Sequence, residues 1–229
     1  MDPDTQAAAV ILAAGVGRRL GSEVPKAFLG IGDRPMLAVA AAAAAASPAI
    51  AAIVVTAPPG YADAAHACLE GLSVPATVVE GGATRQASVR AALAVLEGPQ
   101  IVAVHDAARP FAPPDLFTEV VRAVAAGADG AIPVVPAADT VKRLDGIRVV
   151  DTISREDLGL AQTPQAFRVA ALRTAHEEAT QAGKDVTDDA MLLERVGTVV
   201  AVPGDPRNFK ITTMLDLARA EARIGGVDA

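Results

Sequence analysis

The chain has 229 residues, 52% of them apolar, a net charge of −7 and one cysteine. That length suffices for one domain with a substantial core. The acidic balance excludes a general nucleic-acid binder, whose surface would be basic, and the lone Cys68 excludes an internal disulfide and fits a reducing cytoplasm. No apolar run reaches the length of a membrane span, and the acidic start Met1-Asp2-Pro3-Asp4 is not that of a secretory signal.

In chain order, apolar β-rich runs over 7–12, 52–56, 76–79, 101–104, 131–135 and 199–202 read as strands. Helical patterns over 36–46, 61–70, 84–96, 114–126, 169–181, 188–196 and 213–223 fall between and after them. The alanine-rich stretch 38–46 is a strong helix former suited to close packing on a sheet, and Cys68 is expected as a buried or half-buried helix residue. This alternation predicts an α/β fold, a doubly wound and mainly parallel sheet covered on both faces. Ligands in such sheets sit at the carboxyl ends of the strands, which directs attention to loops 13–26, 80–88, 105–110, 136–140 and 203–210. Residues 140–154 break the rhythm, because Asp145-Gly146 between β-branched alternating runs signals a hairpin. A two-stranded ribbon is marginal alone. The expected organisation is therefore one domain over 1–229 with a protruding arm at about 137–158 that packs on a second subunit of a homodimer.

The first loop carries the strongest chemical signal. After the first strand come Ala13, Ala14, Gly15, Val16 and Gly17, then Arg18-Arg19 and later Pro25-Lys26. The glycines let the backbone approach a ligand, successive N–H groups form a nest for phosphate oxygens, and Arg19 and Lys26 add two cations. No Gly-Lys-Ser/Thr follows, so this is not a Walker A loop, and Leu20 stands where the dinucleotide fingerprint needs its third glycine. Sixteen of the twenty basic residues are Arg and four are Lys, so Lys26 and Lys210, both in motif-like settings, stand out.

Further segments add to this. Gly81-Gly82 allow backbone groups to meet a flat base edge, and Ser88 on the next helical turn faces the same pocket, whereas Thr84 reads as a helix cap. Asp106, at a strand end, suits Mg²⁺ on triphosphate oxygens or a substrate hydroxyl; Arg109 suits a phosphate, taken bidentately. A nucleophile that is already a phosphate monoester needs no base, so His105 is assigned a structural role, and His66 and His176 are bystanders on helix surfaces. Thr187-Asp188-Asp189 reads as a helix start. Asn208 and Lys210, if extended, point the same way, toward one phosphate.

Gly15-x-Gly17-x-Arg19 with Pro25-Lys26 six and seven residues after the arginine resembles the signature of nucleotidyltransferases that activate sugars and polyols. With stretches 81–89, 105–110, Asp139-Thr140, Arg155, 163–165, 187–190 and 208–212, the chain resembles the 2-C-methyl-D-erythritol 4-phosphate cytidylyltransferases of the non-mevalonate isoprenoid pathway. The resemblance implies a Rossmann-like fold and transfer of CMP from CTP, with Mg²⁺, to the 4-phosphate of methylerythritol. It implies that Arg19 and Lys26 stabilise the pentavalent α-phosphate, and that Ala13, Ala14, Gly15, Gly17, Gly82 and Ser88 hold CTP. Thr140, Arg155 and Lys210, with Asp106, Arg109 and Thr163 nearby, would position the polyol phosphate. The metal would be held mainly by the CTP phosphates, with Asp106 as its protein ligand. Family arms cross in a homodimer, so Thr140 and Arg155 would serve the neighbour's site. The chain departs from many relatives at Leu12, where they have proline, and at Ala83, where some have an acidic residue. The nearest alternative is the same chemistry on another polyol phosphate such as ribitol 5-phosphate; the pair Thr140/Arg155 favours methylerythritol phosphate. A sugar-1-phosphate enzyme would be longer, and a non-catalytic nucleotide sensor need not keep Arg19, Lys26 and Asp106.

Overall fold

The computed structural model describes residues 6–15, 24–184, 186 and 188–226. The strands are β1 (Ala7–Leu12), β2 (Gly30–Ile31), β3 (Arg34–Pro35), β4 (Ile50–Ala57), β5 (Ala76–Glu80), β6 (Ile101–Asp106), β7 (Gly130–Pro136), β8 (Val141–Asp145), β9 (Arg148–Ile153), β10 (Gly159–Ala161), β11 (Gln165–Arg168) and β12 (Val199–Pro203). The helices are α1 (Met36–Ala45), α2 (Ala62–Cys68), α3 (Arg85–Ala94), α4 (Pro114–Ala125), α5 (Val169–Gln181), α6 (Ala190–Leu193) and α7 (Met214–Ile224).

The main sheet runs β10-β7-β11-β6-β1-β4-β5, with β12 also paired to β7. Pairs β1–β4, β1–β6, β4–β5 and β7–β12 are parallel. Residues alternate between two apolar layers, as period-two geometry requires. Ala7, Ala9 and Ile11 of β1 and Ile101 and Ala103 of β6 enter the layer that includes residues of α1, α2 and α4. Ala8 and Val10 of β1 and Val102 and Val104 of β6 enter the layer that includes α3, α5 and α6. Both layers exclude water, which is why these strands read as continuous apolar runs rather than alternating ones. Helix α1 buries Met36, Leu37, Ala38, Ala40, Ala41 and Ala44, so its alanines permit a close approach to the sheet. The half-buried Cys68 closes α2.

The sequence did not announce β10 and β11. Both run antiparallel to β7, and β11 is also antiparallel to β6, pairing Gln165 with Val104. They span three and four residues, and Pro164 just before β11 weakens any strand signal there. The short hairpin β2–β3 was hidden for the same reason, although Gly32 at φ 65° marks its turn.

The arm is present as the separate two-stranded sheet β8–β9. Its turn lies one residue later than Asp145-Gly146. Asp145 pairs with Arg148, leaving Gly146 (φ 58°) and a fully exposed Ile147 at the tip. A register shift between Arg143 and Leu144 accompanies this. Among the described residues, no helix is long and apolar enough to cross a membrane.

Phe117 on α4 is wholly buried, its ring tilted against that of His105 at 5.1 Å. Phe117→Ala is expected to lower unfolding free energy by about 3–5 kcal/mol in urea titration; a loss under about 1 kcal/mol would contradict a close-packed layer there.

Candidate active site

The carboxyl ends of β1, β5 and β6 bring three loops together. Ala13 follows β1, is buried, and donates its N–H to Thr56 O at 3.0 Å. A Cβ on Gly81 would lie 2.3 Å from the Ala14 Cβ, so loop 81–82 seats directly against loop 13–15. A Cβ on Gly82 would lie 2.3 Å from the Ala87 Cβ, which makes glycine necessary where the loop turns onto α3. Ser88 Oγ accepts from Gly82 N–H (3.1 Å) and donates to Thr84 O (3.0 Å). Thr84 caps α3 through Ala87 N–H. Gly15 faces open space. Gly17 and Arg19 lie outside the described residues. Lys26 opens a 3-10 turn, Lys26–Phe28, and is half-buried.

The antiparallel register of β11 against β6 brings Thr163 beside Asp106. Thr163 Oγ1 accepts from Asp106 N–H (3.0 Å) and donates to His105 Nδ1 (3.0 Å). The other ring nitrogen, Nε2, then carries the hydrogen and donates to Arg109 O at 3.0 Å. His105 is fully buried, and that burial pushes its pKa down from 6.5 to about 4. Both of its nitrogens are occupied by the chain, so it orders the loop as a neutral ring.

A cavity of about 200 Å³ opens above this layer, lined by Arg85, Asp106, Arg109, Ala161, Gln162, Thr163, Gln165, Asp188 and Lys210. Arg85, Arg109 and Lys210 stand there against Asp106 and Asp188, with Asp189 pairing Arg85 from just behind the wall, so the cations are balanced by carboxylates, and the part-exposed Lys210 is placed to meet an anion. Lys210 Nζ lies 2.6 Å from Asp106 Oδ2, and Arg85 Nε lies 3.6 Å from Oδ1. Burial alone would raise the Asp106 pKa; Lys210 and then Arg85 outweigh it and hold the carboxyl far below its ordinary range. Arg109 donates to Asn208 O (2.8 Å) and Ala161 O (3.3 Å). Each terminal nitrogen thus spends one of its two hydrogens on a backbone carbonyl and keeps the other. Burial pushes the Arg109 pKa down.

Two expectations are corrected. Asn208 is fully buried and gives its amide to Thr163 O (2.8 Å), so it does not share a phosphate with Lys210. The chain turns there, with Asn208 N–H bonded to Asp205 O, and strand-like alternation does not apply. His176 is no surface bystander: it is 1% exposed, and its Nε2 lies 3.1 Å from Asp189 Oδ1. Thr140 and Arg155 do not line the cavity of their own chain. Thr140 is exposed at the base of the arm, and Arg155 donates to Ala138 O.

Arg85, Asp188, Asp189 and Gln165 escaped notice as site residues. Arg85 Nη1 reaches Asp189 Oδ2 at 2.5 Å, and Gln165 Nε2 donates to Asp188 Oδ2 at 2.8 Å. A signal for Arg85 did exist. It is the first residue of α3, where the helix dipole disfavours a cation, so compensating carboxylates had to come from elsewhere. Among the described residues, no group of three or more His, Cys, Asp or Glu could hold a metal. Mg²⁺ can take its shell from phosphate oxygens and water with few carboxylates; Asp106 is ionised at the cavity wall, but its two oxygens already meet Lys210 and Arg85, so the metal would be held mainly by the CTP phosphates.

Because the folded protein holds His105 neutral down to about pH 4, the unfolded chain binds one more proton between pH 6.5 and about 4. Stability therefore falls as pH falls through that window, and this residue contributes no slope above it. Urea unfolding across the window is expected to lose about one proton of linkage in His105→Gln; identical slopes in both proteins would contradict a buried neutral ring.

Residues 7–225 match the family described as IspD: 2-C-methyl-D-erythritol 4-phosphate cytidylyltransferase. The protein of that name from Saccharopolyspora erythraea is 44% identical over 220 residues, 93% of this chain and 97% of that one. Its namesake from Streptomyces coelicolor is 46% identical over 228 residues, 94% of this chain and 83% of that one. Among solved structures, 4-diphosphocytidyl-2C-methyl-D-erythritol synthase from Anaerococcus prevotii superposes with a TM-score of 0.85 at 29% identity, covering 97% of this chain and 99% of that one. The 2-C-methyl-D-erythritol 4-phosphate cytidylyltransferase of Thermus thermophilus gives 0.78 at 36% identity, covering 95% and 98%. The loops converging on β1 and β6, and matches that run nearly end to end, lead to one conclusion: this chain belongs to the 2-C-methyl-D-erythritol 4-phosphate cytidylyltransferase family.

Proposed function

We propose that this protein transfers CMP from CTP to 2-C-methyl-D-erythritol 4-phosphate, giving 4-diphosphocytidyl-2-C-methyl-D-erythritol and pyrophosphate. The observation that carries the reading is the cavity around Asp106 lined by Arg85, Arg109 and Lys210, beside the seated loops 13–15 and 81–82, in a chain of this family. An oxygen of the polyol phosphate attacks the α-phosphorus of CTP, the α–β bridge bond breaks, and its electron pair leaves with pyrophosphate. The attacking oxygen is already anionic, so no base is required. A neutral, fully hydrogen-bonded His105 agrees with that.

In this reading Ala13, Ala14, Gly15, Gly17, Gly82 and Ser88 hold the nucleotide. Arg19 and Lys26 meet the charge that grows on the α-phosphate oxygens and the bridge as the bond breaks; fixed cations there stabilise the transition state more than the ground state. Lys210 takes the polyol phosphate, and Asp106, Thr163 and Arg109 order the floor beneath it. Mg²⁺ would be held mainly by the triphosphate oxygens and would gather and neutralise that charge, while Asp106 stays paired with cations. We assign the arm to a homodimer contact that delivers Thr140 and Arg155 to the neighbour's site. Support comes from its exposed Leu144, Ile147, Val149 and Val150, large apolar side chains of the kind that partners cover. A cytoplasmic setting agrees with the single cysteine.

The direct test is pyrophosphate release with CTP, Mg²⁺ and methylerythritol phosphate, set against ribitol 5-phosphate and against UTP and GTP. Release is expected to be fastest with the first pair; preference for ribitol 5-phosphate would reassign the acceptor, and no release with any pair would overturn the enzyme reading. Lys26→Ala should lower kcat by roughly 100-fold or more while CTP affinity changes little; an unchanged kcat would remove Lys26 from the transition state. Arg155→Ala should raise KM for the polyol phosphate alone. Heterodimers that combine the two variants should regain activity. Silent heterodimers would contradict crossed arms.

A further inference from the structure

Lys210 stands on the wrong partner for its task. Its ammonium is 2.6 Å from Asp106 Oδ2, and an ammonium held there cannot give all its donors to a substrate phosphate. It is free to move, since its side chain is 41% exposed on a flexible four-carbon stem. The obstacle is what it leaves behind. The Asp106 side chain is only 12% exposed, and a carboxylate so shielded is costly to leave without a counter-charge.

Arg85 answers that need. Its Nε lies 3.6 Å from the other Asp106 oxygen, within reach of a small adjustment. It cannot follow Lys210 into the cavity, because its Nη1 is tied at 2.5 Å to Asp189 Oδ2. Asp189 is fully buried just ahead of α6, and its second oxygen meets the buried His176 of α5 at 3.1 Å. One end of the planar guanidinium is therefore anchored in the interior and the other is offered to Asp106. Helix stability gives no reason for a cation at this position, the first residue of α3.

We propose that Arg85 is a positioning residue that takes over the Asp106 carboxylate when Lys210 turns to the polyol phosphate, and that the buried pair Asp189–His176 holds Arg85 in place for that exchange. This rests on the reading of Lys210 as the group that meets the acceptor phosphate.

The experiment varies each substrate in the pyrophosphate assay for wild type, Arg85→Gln, Arg85→Lys, Asp106→Asn and the double variant Arg85→Gln/Asp106→Asn. Arg85→Gln should raise KM for the polyol phosphate about tenfold, an effect of the size found for coupled charges, while KM for CTP moves less than about twofold. Arg85→Lys should recover most of that loss. In the Asp106→Asn background, where no charge is left stranded, Arg85→Gln should add little. Should Arg85→Gln fail to fold, Asp189→Asn asks the same question with its shape kept, and a selective rise in the same KM is again expected. An unchanged polyol-phosphate KM in a folded variant would overturn the proposal, as would an equal rise in both constants or full additivity with Asp106→Asn. Wild-type inactivity with every substrate pair would instead overturn the reading on which it rests.

Discussion

The carboxylate of Asp106, at the end of β6 with its side chain 12% exposed, decides where the cations of the site stand. In water an ion pair is worth little. Here burial makes an unpaired carboxylate costly, and Lys210 and Arg85 are drawn onto it from segments that never meet in sequence. The backbone beneath is fixed as firmly. Thr163, His105 and Arg109 form one directed run of hydrogen bonds, in which each donor finds one acceptor and no charge is carried. The rigid neutral floor holds Asp106 in place, so only the side chains above it have to move when a phosphate binds.

The support for Lys210 lies in the small third cluster of the core. Ile211 is buried there with Ile31, Met36 and Ala220, and Ile211 N–H bonds Ala108 O at 2.9 Å. On its other side Phe209 packs at a tilt against Phe111, and Arg219 and Arg223 of α7 lie over these two rings. The helix itself is started by a capping box of Thr213 and Asp216. The residues flanking Lys210 are therefore fixed, and its ammonium alone has freedom. That division lets one lysine stand on Asp106 in the free protein and on a ligand in the complex.

Much of this was readable in the sequence, for reasons tied to particular residues. Apolar β-rich runs announce strands, buried ones such as β1 and β6 most clearly, and β1, β4, β5, β6, β7 and β12 agree with the sequence within a few residues at their ends. Glycines that turn the chain were found too, and Gly82 is required by contact with Ala87. What escaped was written in tertiary structure. β10 and β11 are too short to show a period, yet β11 brings Thr163 to Asp106. Asp189 and His176 look like a helix start and a surface histidine until the packing of α5 and α6 buries them against each other. Asn208 failed the strand-like reading because the segment turns. A charge out of place, Arg85 at the start of α3, was the one local sign of that hidden network.

The claim that a shielded carboxylate governs exchange of its cations is tested most directly by a crystal structure with methylerythritol phosphate and a non-reactive CTP analogue bound together. The account predicts the Lys210 ammonium on the acceptor phosphate, Arg85 drawn to within hydrogen-bond distance of Asp106, and the Arg85–Asp189–His176 contacts unchanged. Lys210 still seated on Asp106, with the phosphate held by other groups, would contradict it.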